Sequence, residues 1–272
     1  MQDETDTLLA TAETLADAAR AVIMPWFRKP GLGHDNKAGP GAFDPVTQAD
    51  RSAEIAMREI LGRNRPQDAI LGEELGASAG QSGLTWALDP IDGTRAFLAG
   101  APTWGVLIAL SDASGPLMGI IDQPFIGERF VGVRSTATTP SRAWTMGPTG
   151  HHLLTTRGPR PLSEAILLST FPEIGTMAEV TAFHDLAARV QLVRYGLDCY
   201  AYALLAAGQI DLVVEAGLQP YDIQAPIAVI EAAGGIVTDW RGGPAWQGGR
   251  VLAAANPEIH AEALAVLSLA QG

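Results

Sequence analysis

The chain has 272 residues, with 18 lysines and arginines against 30 aspartates and glutamates, for a formal net charge of −12 at pH 7. Apolar residues make up 47% and charged ones 18%, which excludes a disordered chain and is enough to bury a large core, as one unit or two fused halves. The acidic excess argues against a nucleic-acid or anionic-membrane surface, the one cysteine forbids an internal disulfide, and the acidic opening Met1-Gln2-Asp3-Glu4 without a secretory or transmembrane run predicts a cytoplasmic protein.

Leu8, Leu9, Ala12, Leu15, Ala16, Ala19 and Ile23 recur at helical spacing and predict an amphipathic helix closed near Pro25. Lys29 to Asp44, rich in Gly, Pro and charge, reads as a loop. Thr47 followed by Asp50 has the form of a capping box, and Ala53, Ala56, Met57, Ile60 and Leu61 give the helix behind it one packed face. Two roles fit Asp50: a plain cap, or a carboxylate looking into a cleft. After the apolar pair Ile70-Leu71 come Gly72-Glu73-Glu74, either a solvated loop or a source of an oxygen ligand at a strand end.

Thr85 to Leu88 reads as a short buried strand, and Asp89-Pro90-Ile91-Asp92-Gly93-Thr94 follows it directly. Pro90 has no N–H, so the chain is expected to leave the sheet there. Two carboxylates on one sharp turn repel each other unless a cation or a proton lies between them, and an all-oxygen set suits Mg²⁺ or Mn²⁺. Gly93 permits close approach of a ligand, and Thr94 offers an amide and a hydroxyl where Arg95-Ala96-Phe97 opens a helix, a place suited to an anion such as phosphate. A tight turn with solvated acids explains the same string.

Trp104 to Leu110, Leu117 to Asp122 and Arg129 to Val133 read as antiparallel strands, and Ser135 to Ser163 as a segment joining two halves, 1–140 and 141–272. Ala165 to Leu168, Leu192 to Arg194, Asp211 to Val214, Ile236 to Asp239 and Val251 to Ala254 are further strands, and Glu258 to Leu269 is a closing helix. In Leu218-Gln219-Pro220-Tyr221-Asp222, Pro226 marks a helix start, so Asp222 falls in or before the first turn, as a cap or as a fourth carboxylate. Cys199 sits in an apolar stretch with no Cys-x5-Arg signature and reads as a buried, inert thiol. His34, His151, His152, His184 and His260 show no metal-ligand spacing.

Taken together, Pro45 to Asp50, Gly72 to Glu74, Asp89 to Thr94 and Tyr221-Asp222 resemble the inositol-monophosphatase-like superfamily of magnesium-dependent phosphatases, in the family's order and over essentially the whole chain. Thr94-Arg95-Ala96-Phe97, Pro102-Thr103-Trp104-Gly105, Asp198-Cys199-Tyr200-Ala201-Tyr202, Asp211 to Glu215 and Pro220-Tyr221-Asp222 are similar to its histidinol-phosphate phosphatase branch. The resemblance implies an α/β fold, a layered αβαβα sandwich of the inositol monophosphatase and fructose-1,6-bisphosphatase type, with an α+β N-terminal half, an α/β C-terminal half and the cleft between them.

It also implies two or three Mg²⁺ ions, with Mn²⁺ a possible substitute. The first would rest on Glu73, Asp89 and the Ile91 carbonyl, the second on Asp89, Asp92 and Asp222, and a weaker third on Glu73 and water. Thr94, with Asp50 or Glu73, would orient a metal-activated water for direct attack, and the Gly93 and Thr94 amides would cradle the phosphate. Asp198 and Glu215 would meet the ammonium of histidinol phosphate. Arg194 would contact phosphate, pin Asp198 or form a structural salt bridge; Arg95 would support the site or face solvent; Lys37 resembles the family's active-site lysine. The implied partner is a small phosphate monoester, and the implied assembly a homodimer. Inositol 1-phosphate or another monoester is the alternative substrate, and a non-catalytic metal- or phosphate-binding regulator the alternative of another class.

Overall fold

The computed structural model describes residues 2–37, 45–135 and 140–269. In chain order it contains α1 (Gln2–Ile23), β1 (Asp35–Asn36), β2 (Pro45–Val46), α2 (Gln48–Asn64), β3 (Ala69–Gly72), β4 (Gly76–Ser78), β5 (Thr85–Asp92), α3 (Thr94–Ala99), β6 (Gly105–Asp112), β7 (Gly115–Gln123), β8 (Glu128–Val133), β9 (Arg142–Gly147) and β10 (Gly150–Leu153). There follow β11 (Ile166–Ser169), α4 (Met177–Ala187), β12 (Leu192–Tyr195), α5 (Cys199–Ala206), β13 (Leu212–Leu218), α6 (Pro220–Ala232), β14 (Ile236–Thr238), β15 (Gly249–Ala254) and α7 (Pro257–Leu267). Among these residues an eight-stranded sheet has the order β10-β9-β8-β7-β6-β5-β3-β4 and a five-stranded sheet the order β12-β11-β13-β15-β14. No described helix is long and apolar enough to cross a membrane.

Strand alternation builds the layers. Along β5 and β6, Trp86, Leu88, Val106, Ile108 and Leu110 pack with the apolar faces of α1 and α2, whereas Ala87, Leu107 and Ala109 point into a second core shared with α5 and α6. In the smaller sheet, Val213, Val251 and Ala253 face that second core, while Leu212, Val214, Leu252 and Ala254 meet α4 and α7 in a third. Three cores between five layers make an αβαβα sandwich, and strands covered on both faces read as near-continuous apolar runs.

Helix α6 lies directly on the large sheet. A Cβ at Gly119 would fall 2.5 Å from the Ala225 carbonyl oxygen, and one at Gly132 only 2.4 Å from the Val229 Cα, both backbone atoms. These glycines set the height of the helix that carries Asp222. Gly132→Ala is therefore expected to cost about 1–3 kcal/mol by overpacking, read as a lower denaturant midpoint with an unchanged m-value; an unchanged midpoint counts against this packing.

Two sequence expectations need correction. Residues 142–153, read as part of the joining segment, form the β9–β10 hairpin, which pairs with β8 and extends the large sheet to Leu153. The sheet thus runs past a division at 140/141. The segment escaped notice because β10 is exposed throughout, so it lacks apolar alternation. Pro226 also lies inside α6 rather than at its start; Pro220 holds the first position, and Asp222 still falls in the first turn.

Candidate active site

The site is assembled at the end of β5. The chain does not leave the sheet at Pro90. Asp89 pairs with Leu107 and Asp92 with Gly105, so one extra residue bulges between them. β3 stops opposite Leu88, leaving Pro90 without a ladder partner on that side to be deprived of its N–H.

The bulge presents Asp89 and Asp92 together, and the first turn of α6 brings Asp222. One carboxylate oxygen from each lies within 4.8 Å of the others. Each acid is held by backbone: Ile91 N–H donates to Asp89 Oδ1 at 3.0 Å, Cys199 N–H to Asp92 Oδ2 at 2.6 Å, and Gln219 N–H to Asp222 Oδ2 at 2.7 Å. Burial, followed by the charges of Glu73, Asp92 and Asp222, raises the pKa of Asp89 well above the ordinary carboxylate value. Burial, then Asp198 and Asp222, does the same to Asp92 against the Cys199 hydrogen bond. Crowded carboxylates of this kind, with no nitrogen or sulfur among them, fit a hard divalent cation.

Asp50 completes the capping box of α2 and touches the site through Thr94. Thr47 donates to Asp50 Oδ2 from its amide at 2.9 Å and its hydroxyl at 2.5 Å, while the Thr94 hydroxyl lies 3.4 Å from Asp50 Oδ1 and 3.1 Å from the Ile91 carbonyl. Burial raises the Asp50 pKa against the Thr47 hydrogen bonds. The capping role is thus seen directly, whereas Asp50, fully buried, does not border the cavity and reaches it only through the Thr94 hydroxyl.

Glu73 lines the same cavity. Lys37 Nζ donates to Glu73 Oε1 at 2.8 Å and to Glu74 Oε1 at 3.0 Å. Burial disfavours the lysine charge, but the two glutamates outweigh it and raise its pKa. Residues 38–44 of the Lys29 to Asp44 segment lie outside the described residues.

A second acidic pair, Asp198 and Glu215, lines the same cavity. Asp198, at φ 47° and ψ −140° before α5, lies with Oδ2 3.4 Å from the Thr103 hydroxyl. Its pKa is pushed up to about 6 by burial, against the Thr103 hydrogen bond and the Arg95 charge. Gly93, at φ 85°, leaves no room for a side chain there: its Cβ would fall 2.8 Å from Asp198 Cγ. Glu215 Oε1 accepts the Thr170 amide at 2.6 Å, and burial pushes its pKa up to about 7 against that bond. Arg95 is exposed at the cavity rim, with its guanidinium 4.9 Å from the centre of the Phe171 ring.

Glu73, Asp89, Ile91, Asp92, Gly93, Thr94, Asp198, Glu215 and Asp222 all border one cavity of about 350 Å³. Arg194 does not. It is exposed on β12, the edge strand of the smaller sheet, away from the cavity lining. The Cys199 thiol is buried, and burial with the Asp92 charge raises its pKa well above normal, which suits an inert group. Thr170 and Phe171 border the cavity without having been singled out in the sequence. Their signal was positional: they follow the carboxyl end of β11, parallel to β12 and β13, where open α/β sheets place ligands.

Both the sequence and the fold match known proteins. The sequence model of the "Inositol monophosphatase family" matches residues 4–271. The bifunctional phosphatase IMPL2, chloroplastic, of Arabidopsis thaliana is 39% identical over 272 residues, covering 96% of this chain and 75% of its own. A histidinol-phosphatase of Streptomyces coelicolor is 34% identical over 268 residues, 96% of each chain. Among solved structures, an inositol monophosphatase from Zymomonas mobilis is 39% identical and superposes with a TM-score of 0.84 over 98% of both chains.

Proposed function

The chain belongs to the inositol monophosphatase family, phosphatases of small phosphate monoesters, and from that premise we propose that it is a Mg²⁺-dependent histidinol-phosphate phosphatase. One observation carries the choice of substrate: Asp198 and Glu215 add a second acidic pair to a cavity in which Asp89, Asp92 and Asp222 already form a carboxylate cluster able to hold a cation. Carboxylates not needed for a cation are suited to an ammonium on the substrate. The histidinol-phosphatase relative supports this reading. The Zymomonas likeness supports a second one, inositol 1-phosphate, which has no cationic end to use that pair.

In this reading Asp89, Asp92 and Asp222, with Glu73 and the Ile91 carbonyl, would hold the Mg²⁺ ions. Bound there, Mg²⁺ supplies positive charge for the phosphoryl oxygens and acidifies water. The chain's own groups do the rest. The Thr94 hydroxyl orients the attacking water and takes its proton while passing its own to the Asp50 carboxylate. The Gly93 and Thr94 amides hold the phosphate, and Asp198 and Glu215 fix the amino alcohol. Water adds to phosphorus in line as its proton passes to Asp50, the ester P–O bond breaks, the departing alkoxide takes a proton from a solvent water, and Asp50 returns its own to solvent.

The test is phosphate release by the purified protein, with Mg²⁺ or EDTA, from histidinol phosphate, inositol 1-phosphate, fructose 1,6-bisphosphate and 3′-phosphoadenosine 5′-phosphate. The expected result is Mg²⁺-dependent kcat/KM at least about tenfold higher on histidinol phosphate, or about 1.4 kcal/mol. Preference for inositol 1-phosphate overturns the substrate reading and keeps the cation chemistry.

A further inference from the structure

We propose that Glu54 and Arg58, one turn apart on α2, are positioning residues that fix Glu73 for a divalent cation. The inference rests on the reading that the cavity holds Mg²⁺, and it concerns two residues that do not border the cavity. Glu54 is fully buried, which for a carboxylate is costly unless its oxygens are all engaged.

They are engaged in one place, the three-residue turn between β3 and β4. Glu54 Oε2 accepts the Glu74 amide at 2.7 Å, and Oε1 accepts the Leu75 amide at 3.2 Å. Arg58 Nε donates to Oε1 at 2.7 Å. The same guanidinium donates to the Ser78 hydroxyl at 2.9 Å and to the Gly76 carbonyl. The middle and the C-terminal end of the turn are thereby tied to α2. From the other side, the Glu73 amide donates to the Leu88 carbonyl at 3.1 Å, one residue before Asp89.

The Glu73 backbone is thus held between α2 and the end of β5, so its side chain is delivered beside Asp89. Gly72 shows how closely the clamp is built: a Cβ there would fall 1.9 Å from Glu54 Oε1. An ion pair serving the hairpin alone would need only Arg58 and a surface acid. The two amides accepted by Glu54 aim its charge at the acid-bearing turn. Groups that orient a metal ligand typically change metal affinity about 10–100-fold when altered.

The variant is Glu54→Gln, which keeps the side-chain length and one acceptor oxygen. Mn²⁺ binding is followed by electron paramagnetic resonance of the free ion, without substrate, alongside the Mg²⁺ dependence of phosphate release. The expected result is Mn²⁺ affinity weakened about tenfold, half-saturating Mg²⁺ raised by a similar factor, and KM for the ester unchanged at saturating Mg²⁺. Arg58→Lys, which keeps the charge without the fork, is expected to lie between wild type and Glu54→Gln. A folded Glu54→Gln protein with wild-type Mn²⁺ affinity overturns the proposal. If that variant does not fold, Arg58→Gln is read in the same way, with the same two outcomes. Wild-type protein that binds no Mn²⁺ overturns the metal reading beneath it, a result distinct from binding that the variants leave unchanged.

Discussion

Asp92→Asn is expected to lower kcat/KM at least about a hundredfold, since even partners one layer behind a metal ligand cost about 10–100-fold, and to melt higher than wild type in EDTA. The second effect follows from the same crowding. Asp92 is raised by burial and then by the charges of Asp198 and Asp222. A carboxyl whose folded pKa lies above its unfolded value of about 3.9 leaves stability intact below that value and removes it as pH rises toward the folded pKa. The asparagine carries no such penalty and retains an oxygen for the Cys199 amide. Its advantage in EDTA should therefore be larger at pH 8 than at pH 5. Mg²⁺ should reverse the order, because a ligand at a hundredfold excess over its Kd stabilises the wild type by about 2.7 kcal/mol. Full activity in Asp92→Asn, or a lower melting temperature in EDTA, would remove the basis for placing a cation on these acids.

The residues of this cluster were legible because each stands at the end of an element that the sequence punctuates. Thr47 and Asp50 open α2 as a capping box, and Pro220 sets Asp222 in the first turn of α6. Gly93 ends β5 in a left-handed turn before α3. Periodicity located the helices for the same reason: α1 buries Leu8, Ala12, Leu15, Ala19 and Ile23 on one face. What could not be read depended on neighbours from elsewhere in the chain. Arg194 lies four residues before Asp198, yet it stays on an exposed edge strand while the chain turns through Gly196, at φ 81°, toward the site. Pro90 remains within a strand only because β3 ends where it does. Glu54 looks like an ordinary charged helix residue until the β3–β4 turn folds over it.

Asp198→Asn should separate substrate recognition from the chemistry of the cluster. Asparagine keeps the shape and tolerates the positive φ of this position, so the variant removes charge and little else. A hydrogen bond to a charged group contributes about 1.5–3 kcal/mol, which predicts a loss of about 10–100-fold in kcat/KM on histidinol phosphate. On inositol 1-phosphate, which offers the carboxylate no cation, the loss should stay within about threefold. A pH signature accompanies it. With its pKa near 6, Asp198 gains its charge as pH rises through that value, so KM for histidinol phosphate should fall over the same window in the wild type. The substrate imidazole also titrates there, at about 6.5, but identically for both proteins. Only the part due to Asp198 should disappear in Asp198→Asn. Equal losses on both esters with an unchanged pH profile would mean that Asp198 serves the fold of the α5 turn, and the choice of a cationic substrate would then rest on Glu215 alone.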